Sequence, residues 1–180
     1  IRRELSILGQ VLSFAHRKGY LRDTPEISLP KKVKSRRSTF SKEEYRKLYR
    51  VLRRNAKNQT NKRNHRRWFY LRDYCLVLAN TGARVGEIRS LRWEDIYKTT
   101  IGAEELRVLQ LKGKTGRRDV AINAGAERYL FRLYDFRTNE LGHPPQLSEP
   151  VFCNESGKEI GSHKKGFDAA CEEAGAPLLN

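Results

Sequence analysis

The hydrophobic period of this 180-residue chain changes twice, and that change limits its fold more than any single residue does. Up to about Leu91 the apolar residues recur at helical spacing. From Asp95 to Ile122 they alternate with polar ones, and from Ala126 onward helical spacing returns. Alternation by two sends side chains to opposite faces of a strand, whereas steps of three and four line one face of a helix. The pattern predicts an α+β chain, mainly α-helical, with helices packed around a small three-stranded antiparallel sheet.

The helical part divides at its punctuation. Ile1 to about Lys18 carries Ile1, Leu5, Leu8, Leu12 and Ala15 at helical spacing, with Gly19 as the C-terminal cap. No cap signal opens this helix, so it is expected to begin inside a larger element. Asp23 to Ser35, with Pro25 and Pro30, reads as an extended linker and domain boundary. Ser41-Lys42-Glu43-Glu44 is a capping box, with Phe40 and Tyr45 placed as a hydrophobic staple. The helix it starts presents Tyr45, Leu48, Tyr49 and Leu52, and Asn55 to Asn64 reads as a loop. His65 to Asn80 is apolar on nearly all sides except at Arg72 and Asp73, which predicts a central buried helix. Gly82 breaks it, and Thr81 is placed to cap a short helix with Val85, Ile88 and Leu91 inward.

Strands are expected over Asp95–Thr99, Leu106–Leu111 and Arg118–Ile122, with turns at Gly102 and at Gly113 to Gly116. A further helix carries Ala126, Tyr129, Leu130 and Leu133. Leu141 to Gly161 is irregular around a short Val151-Phe152 run. Ser162 is placed to cap a last helix bearing Phe167, Ala170, Cys171 and Ala174, which Gly175 ends.

Charge narrows the class of partner. The formal net charge is +16, and residues 31–72 hold seventeen basic and two acidic residues. Residues 1–30 are at +2 and residues 73–180 at −1, so one 42-residue stretch supplies nearly all of the excess. A concentration of this kind fits a phosphate-facing surface better than a merely solvated one, because bound Lys and Arg release counterions condensed on nucleic acid. The cysteines Cys75, Cys153 and Cys171 form no CxxC pair, which argues against disulfide staples and a zinc site and for a reducing, cytoplasmic setting. No apolar run has the length of a membrane span, and no signal-peptide pattern opens the chain.

Two segments could carry chemistry. With Thr81 as cap, Arg84 falls at the third helical position and Glu87 one turn on. Glu87 could then hold the guanidinium while its remaining donors meet a phosphate, with the helix amides adding to the site. On spacing alone, an ordinary surface ion pair is the commoner explanation. The second segment, Leu111 to Ile122, sets Lys112, Lys114, Arg117 and Arg118 around a glycine-flanked turn between strands. A lysine there could enter a minor groove, although solvated hairpin tips often carry the same residues.

The run Thr81 to Ile96, T-G-A-R-x-G-E-I-x-x-L-R-W-x-D-I, resembles the first arginine box of the tyrosine recombinases, the phage integrase family, across sixteen consecutive positions. The resemblance implies that Arg84 binds the scissile phosphate, that Glu87 supports it, and that Leu91, Trp93 and Ile96 are packing positions. Lys114, in a K-T-G segment, would be the general acid for the leaving 5′ oxygen, with Lys112 as the alternative. Residues 1–22 resemble the last helix of the family's core-binding domain, 23–39 its basic interdomain linker, and 40–180 the N-terminal part of its catalytic domain. The implied partner is double-stranded DNA. Lys31, Lys32, Lys34, Arg36, Arg37, Arg53, Arg54, Lys112, Arg117 and Arg118 would contact it, and the parent protein would self-associate on DNA as a tetramer. The family uses no metal or nucleotide cofactor and works in the cytoplasm, on the nucleoid of a bacterium or phage host.

The chain departs from that pattern in one respect. It holds no His-x-x-Arg sequence, and none of its eight tyrosines has the downstream place of the family's nucleophile. The expectation is a recombinase piece ending before those boxes, which binds DNA without cutting it. The alternatives are a non-catalytic basic DNA-binding module and, less well supported, an RNA-binding protein. Against the last, the aromatics have core-facing spacing, not the strand platform on which bases stack.

Overall fold

The computed structural model describes residues 1–30, 39–113 and 116–178. The chain divides into two compact units, Ile1–Arg37 and Ser38–Asn180. The first contains one helix, α1 (Arg2–Arg17). Its half-buried stripe is Leu5, Gly9, Leu12 and Ala15, and Ile27 of the returning segment lies against Gly9. Arg2 donates to the carbonyl of Pro30. Ile1 and Leu8, expected on the same face, are exposed together with Ile7, Val11 and Phe14.

The second unit runs α2 (Lys42–Lys57), α3 (Lys62–Thr81), α4 (Val85–Arg89), a 3-10 turn (Trp93–Asp95), β1 (Ile96–Ile101), β2 (Glu104–Gly113), β3 (Gly116–Ala121), α5 (Ala124–Leu141) and α6 (Lys164–Ala174). The strands form one antiparallel sheet in the order β1-β2-β3, with Ile96 opposite Leu109 and Leu111 opposite Arg118. The expected fold class therefore holds.

Local chemistry accounts for the boundaries. The Ser41 hydroxyl accepts from the Glu44 amide at 3.2 Å, and the Glu44 carboxylate accepts from the Ser41 amide at 2.7 Å. This reciprocal pair satisfies two amides that the first turn of α2 leaves without helical partners. The loop expected over Asn55–Asn64 shrinks to residues 58–61. Ala56 is buried and prolongs α2, while the Asn61 side chain caps α3 by accepting from Arg63 and Asn64. Gly82 ends α3 at φ +61°, in the left-handed region that glycine enters without steric cost.

The central helix α3 packs on α2, α4, α5 and α6. Tyr70, Tyr74 and Val77 face a cluster with Ile88, Leu91, Trp93, Leu109, Leu111, Leu130, Leu133 and Phe152. Trp93 meets Tyr134 edge-on at 5.2 Å, the packing role expected of it. A second cluster joins Leu48, Val51 and Leu52 of α2 to Leu71 of α3 and to Ala170, Cys171 and Ala174 of α6. Asp73 is fully buried in α3, and the guanidinium groups of Arg72 and Arg132 cover it. Between α5 and α6 the irregular segment is pinned by bridges of Arg92 to Pro150 and of Cys153 to Glu159. Its Val151, Phe152 and Cys153 are buried in the first cluster. No helix among the described residues is long and apolar enough to cross a membrane.

The α2 cap provides a simple check. Ser41→Ala removes the side-chain acceptor and is expected to lower stability by about 1 kcal/mol in urea denaturation.

Candidate functional site

The site residues lie where the end of α3, the single turn of α4 and the β2–β3 end of the sheet meet. Thr81 does not cap α4. It is the last residue of α3, and its hydroxyl donates back to the Val77 carbonyl at 2.8 Å. Arg84 takes the N-cap position instead, with extended backbone at φ −74° and ψ 147°. The expected placement of Arg84 at the third helical position is therefore corrected. Val85 also differs from expectation and is exposed, while Ile88 and Leu91 point inward. The start of α4 offers little to an anion through its backbone. The helix has five residues, and the Arg84 amide is already donated to Glu87 Oε2 at 2.8 Å.

Glu87 is the centre of the arrangement. Its side chain is 3% exposed, yet it carries a charge that burial penalises unless donors surround it. Besides the Arg84 amide, Oε2 accepts from Arg118 Nη2 at 2.8 Å. Oε1 accepts longer contacts from Arg84 Nη1 at 3.3 Å and Arg118 Nε at 3.4 Å. These donors pull the Glu87 carboxyl down to about 2, the bonds from the Arg118 side chain being the largest cause and the Arg84 amide the next. Sheet register puts Arg118 there. It lies opposite Leu111, two residues before Val120, on the strand face that turns toward the core.

Gly113 completes the wall. A Cβ at this position would stand 3.0 Å from Glu87 Oε1 and 3.8 Å from Arg84 Nη1, so a side chain here would push the carboxylate back by a few tenths of an ångström. Lys112, one residue earlier, is engaged elsewhere. Its Nζ lies 2.8 Å from Asp95 Oδ1, and Asp95 Oδ2 accepts from the Arg92 amide at 3.0 Å. Lys114 lies outside the described residues, as do Lys31, Lys32, Lys34, Arg36 and Arg37.

The remaining basic residues are not drawn into this cluster. Arg53 is exposed on α2, and Arg54 pairs with Glu173 of α6. Arg117 is exposed on the other face of β3 from Arg118 and donates to Gln110 at 3.2 Å. Sequence reasoning missed the close approach at Gly113 and the Lys112–Asp95 pair. It also missed a buried ion network in which Arg66 holds Glu140 and Arg137 holds both Glu140 and Glu149.

An apolar groove of about 530 Å³, lined by α2, α3, α4 and the start of α6, is a separate feature. His163 lines it, with its ring centroid 4.3 Å from that of Tyr74 and its Nε2 buried without a hydrogen-bond partner among the described residues. Burial pushes its pKa down to about 4, with the Arg67 charge adding to the effect.

Comparison with known proteins locates the fold. No protein-family model matches the chain, and no curated protein matches it by sequence. Among solved structures, the XerH site-specific recombinase bound to difH substrate in a pre-cleavage complex matches at 18% identity. The match covers 97% of this chain and 47% of that one, with a TM-score of 0.63. The post-cleavage complex of XerH with a palindromic difH substrate matches over 86% of this chain and 41% of that one. Its identity is 19% and its TM-score 0.60. XerA recombinase matches at 16% identity and a TM-score of 0.53, over 79% and 45% of the two chains.

Two outcomes follow from the geometry. Gly113→Ala is expected to displace the Glu87 carboxylate and free the Arg118 side chain, visible as shifted arginine Nε–Hε resonances. A spectrum identical to wild type would mean that the wall is not tight. The second concerns His163. Between its folded value of about 4 and the ordinary value near 6.5, the unfolded chain binds a proton that the folded chain refuses. Its contribution is present above that window and is lost as pH falls through it. Between pH 7 and pH 4.5, His163→Gln should therefore lose less stability than wild type, by on the order of 2 kcal/mol.

At these identities the likeness is one of fold, and the chain spans less than half the length of the recombinases it matches: it has the mainly helical α+β architecture, with a three-stranded antiparallel sheet, of part of a Xer tyrosine recombinase.

Proposed function

We propose that this chain is the N-terminal majority of the catalytic domain of a tyrosine-type site-specific DNA recombinase, preceded by the last helix of a core-binding domain and a basic linker. The observation that carries the reading is the exposed Arg84 guanidinium held over a buried Glu87, in a fold shared with XerA and XerH. In the parent protein Arg84 binds the scissile phosphate while a tyrosine attacks it, leaving a 3′-phosphotyrosyl link. Lys114 protonates the departing 5′ oxygen. The engagement of Lys112 with Asp95 supports Lys114 over Lys112 for that role. The basic run from Lys31 to Arg37, with the exposed Arg53 and Arg117, meets the DNA backbone and sets affinity without reading sequence, whereas Arg54, Lys112 and Arg118 are taken up by Glu173, Asp95 and Glu87.

The 180 residues hold no His-x-x-Arg pattern. Tyr70 and Tyr74 are buried, and burial raises both phenols, Tyr74 to about 12. Strand cleavage needs an available nucleophile and charge on both non-bridging oxygens. On this reading the 180 residues hold duplex DNA, and the attacking tyrosine and the second arginine come from the rest of the parent protein. The same observation favours a second reading, a non-catalytic DNA-binding module, in which Arg84 is one backbone contact among many.

Affinity for a duplex measured across salt concentration tests the shared part of both readings. Each phosphate neutralised contributes about −0.9 to the slope of log K against log salt, so a slope of about −4 or steeper is expected. A nearly flat dependence would contradict DNA binding by the basic segment. The full-length protein separates the readings. Arg84→Ala there should abolish cleavage with near-normal binding, whereas Arg53→Ala should weaken binding modestly and leave cleavage measurable. Equal effects of the two substitutions on binding, with no cleavage in the wild type, would favour the non-catalytic module.

A further inference from the structure

Arg84 is not the main side-chain partner of the carboxylate beneath it. Its guanidinium touches Glu87 once, at 3.3 Å, and its side chain is 73% exposed. Arg118 makes the shorter contact, 2.8 Å, adds a second at 3.4 Å, and is 47% exposed. The balance of charge matters here. A carboxylate paired only with Arg84 would cancel the one charge that an incoming phosphate could use. With two guanidinium groups on one carboxylate, the cluster keeps a net positive charge. The geometry leaves that surplus on the more exposed and less engaged member. Among the described residues Glu87 is the only side-chain partner of Arg84, so most of its five N–H donors stay open.

We propose that Arg118 is the positioning residue of the anion site: it takes up the charge of Glu87 from the strand side, so that Arg84 is held in place yet keeps its charge and donors for a phosphodiester. The proposal rests on the reading that Arg84 meets a phosphate. It differs from a direct role for Arg118, whose Nη2 and Nε face the carboxylate. Gly113 belongs to the same device. A Cβ there would stand 3.0 Å from Glu87 Oε1 and 3.8 Å from Arg84 Nη1, in the space the carboxylate uses to meet both arginines.

A charge-cancellation cycle tests the idea. Inorganic phosphate is titrated against the Arg84 Nε–Hε resonance of the 180-residue chain, with near-ultraviolet circular dichroism reporting whether each variant is folded. Arg118→Gln should weaken phosphate binding about tenfold, because Glu87 then competes for Arg84. Arg118→Lys keeps the charge and should stay within about threefold of wild type. The decisive variant is Glu87→Gln/Arg118→Gln. With the carboxylate gone Arg118 is not needed, and binding should return to within about threefold of Glu87→Gln alone. A double variant as weak as Arg118→Gln would overturn the proposal, making Arg118 a phosphate ligand in its own right. Wild-type affinity in a folded Arg118→Gln would overturn it as well. Arg84→Ala, followed on the Arg118 resonance, is the reference. If it binds phosphate as tightly as wild type, the anion site itself is refuted; if it loses binding while Arg118→Gln does not, only the positioning role falls.

Discussion

A carboxylate taken out of water must be met by donors wherever the chain can supply them, and Glu87 imposes that demand on its whole neighbourhood. Its donors come from two places in the sequence, the amide and guanidinium of Arg84 and the guanidinium of Arg118, and Gly113, without a Cβ, borders the space they share. Meeting the demand holds the start of α4 against the β2–β3 end of the sheet. Leu109 and Leu111 carry the same sheet face into the core beside Ile88, so the apolar cluster and the ion cluster share one scaffold. The placement of Arg84 at the surface is a consequence of this arrangement.

The same logic recurs through the unit. Asp73 is covered by Arg72 and Arg132, which ties α3 to α5. Arg66 and Arg137 reach Glu140, Glu149 and the carbonyls of Cys153 and Glu155, and so hold the irregular segment after α5. Lys112 and Asp95 join β2 to the 3-10 turn that follows α4. Each buried charge links elements distant in sequence, and removal of one partner would leave the other buried and unpaired, a costlier state than either the pair or an apolar substitute. A rigid support of this kind suits a site that acts by positioning charge.

Much of this scaffold was legible in the sequence, and the reasons are local. The Ser41 capping box, the Gly82 stop and the alternation through the three strands each depend on residues a few positions apart, and all three appear as read. The start of α4 was misplaced because the Thr81 hydroxyl has two possible uses, and it bonds back to Val77. The orientation of Arg118 was available from its spacing to Val120, but a basic residue beside a hairpin reads first as a surface charge. The pairing of Arg54 with Glu173, the burial of His163 against Tyr74 and the capture of Lys112 by Asp95 depend on tertiary contacts that no local pattern encodes. The sixteen-residue block around Arg84 pointed to the neighbourhood, whereas the fold shows which groups there share a charge.

The central claim is that Glu87 is a buried carboxylate kept ionised well below the ordinary glutamate range by two arginines. Its titration, followed by the side-chain carboxyl carbon resonance in the folded protein, tests that claim most directly. The account predicts a midpoint near 2, far below the ordinary glutamate range, with no titration step between pH 4 and 5. A midpoint near 4.5 would contradict it, because the carboxylate would then lack the donors on which the site is built.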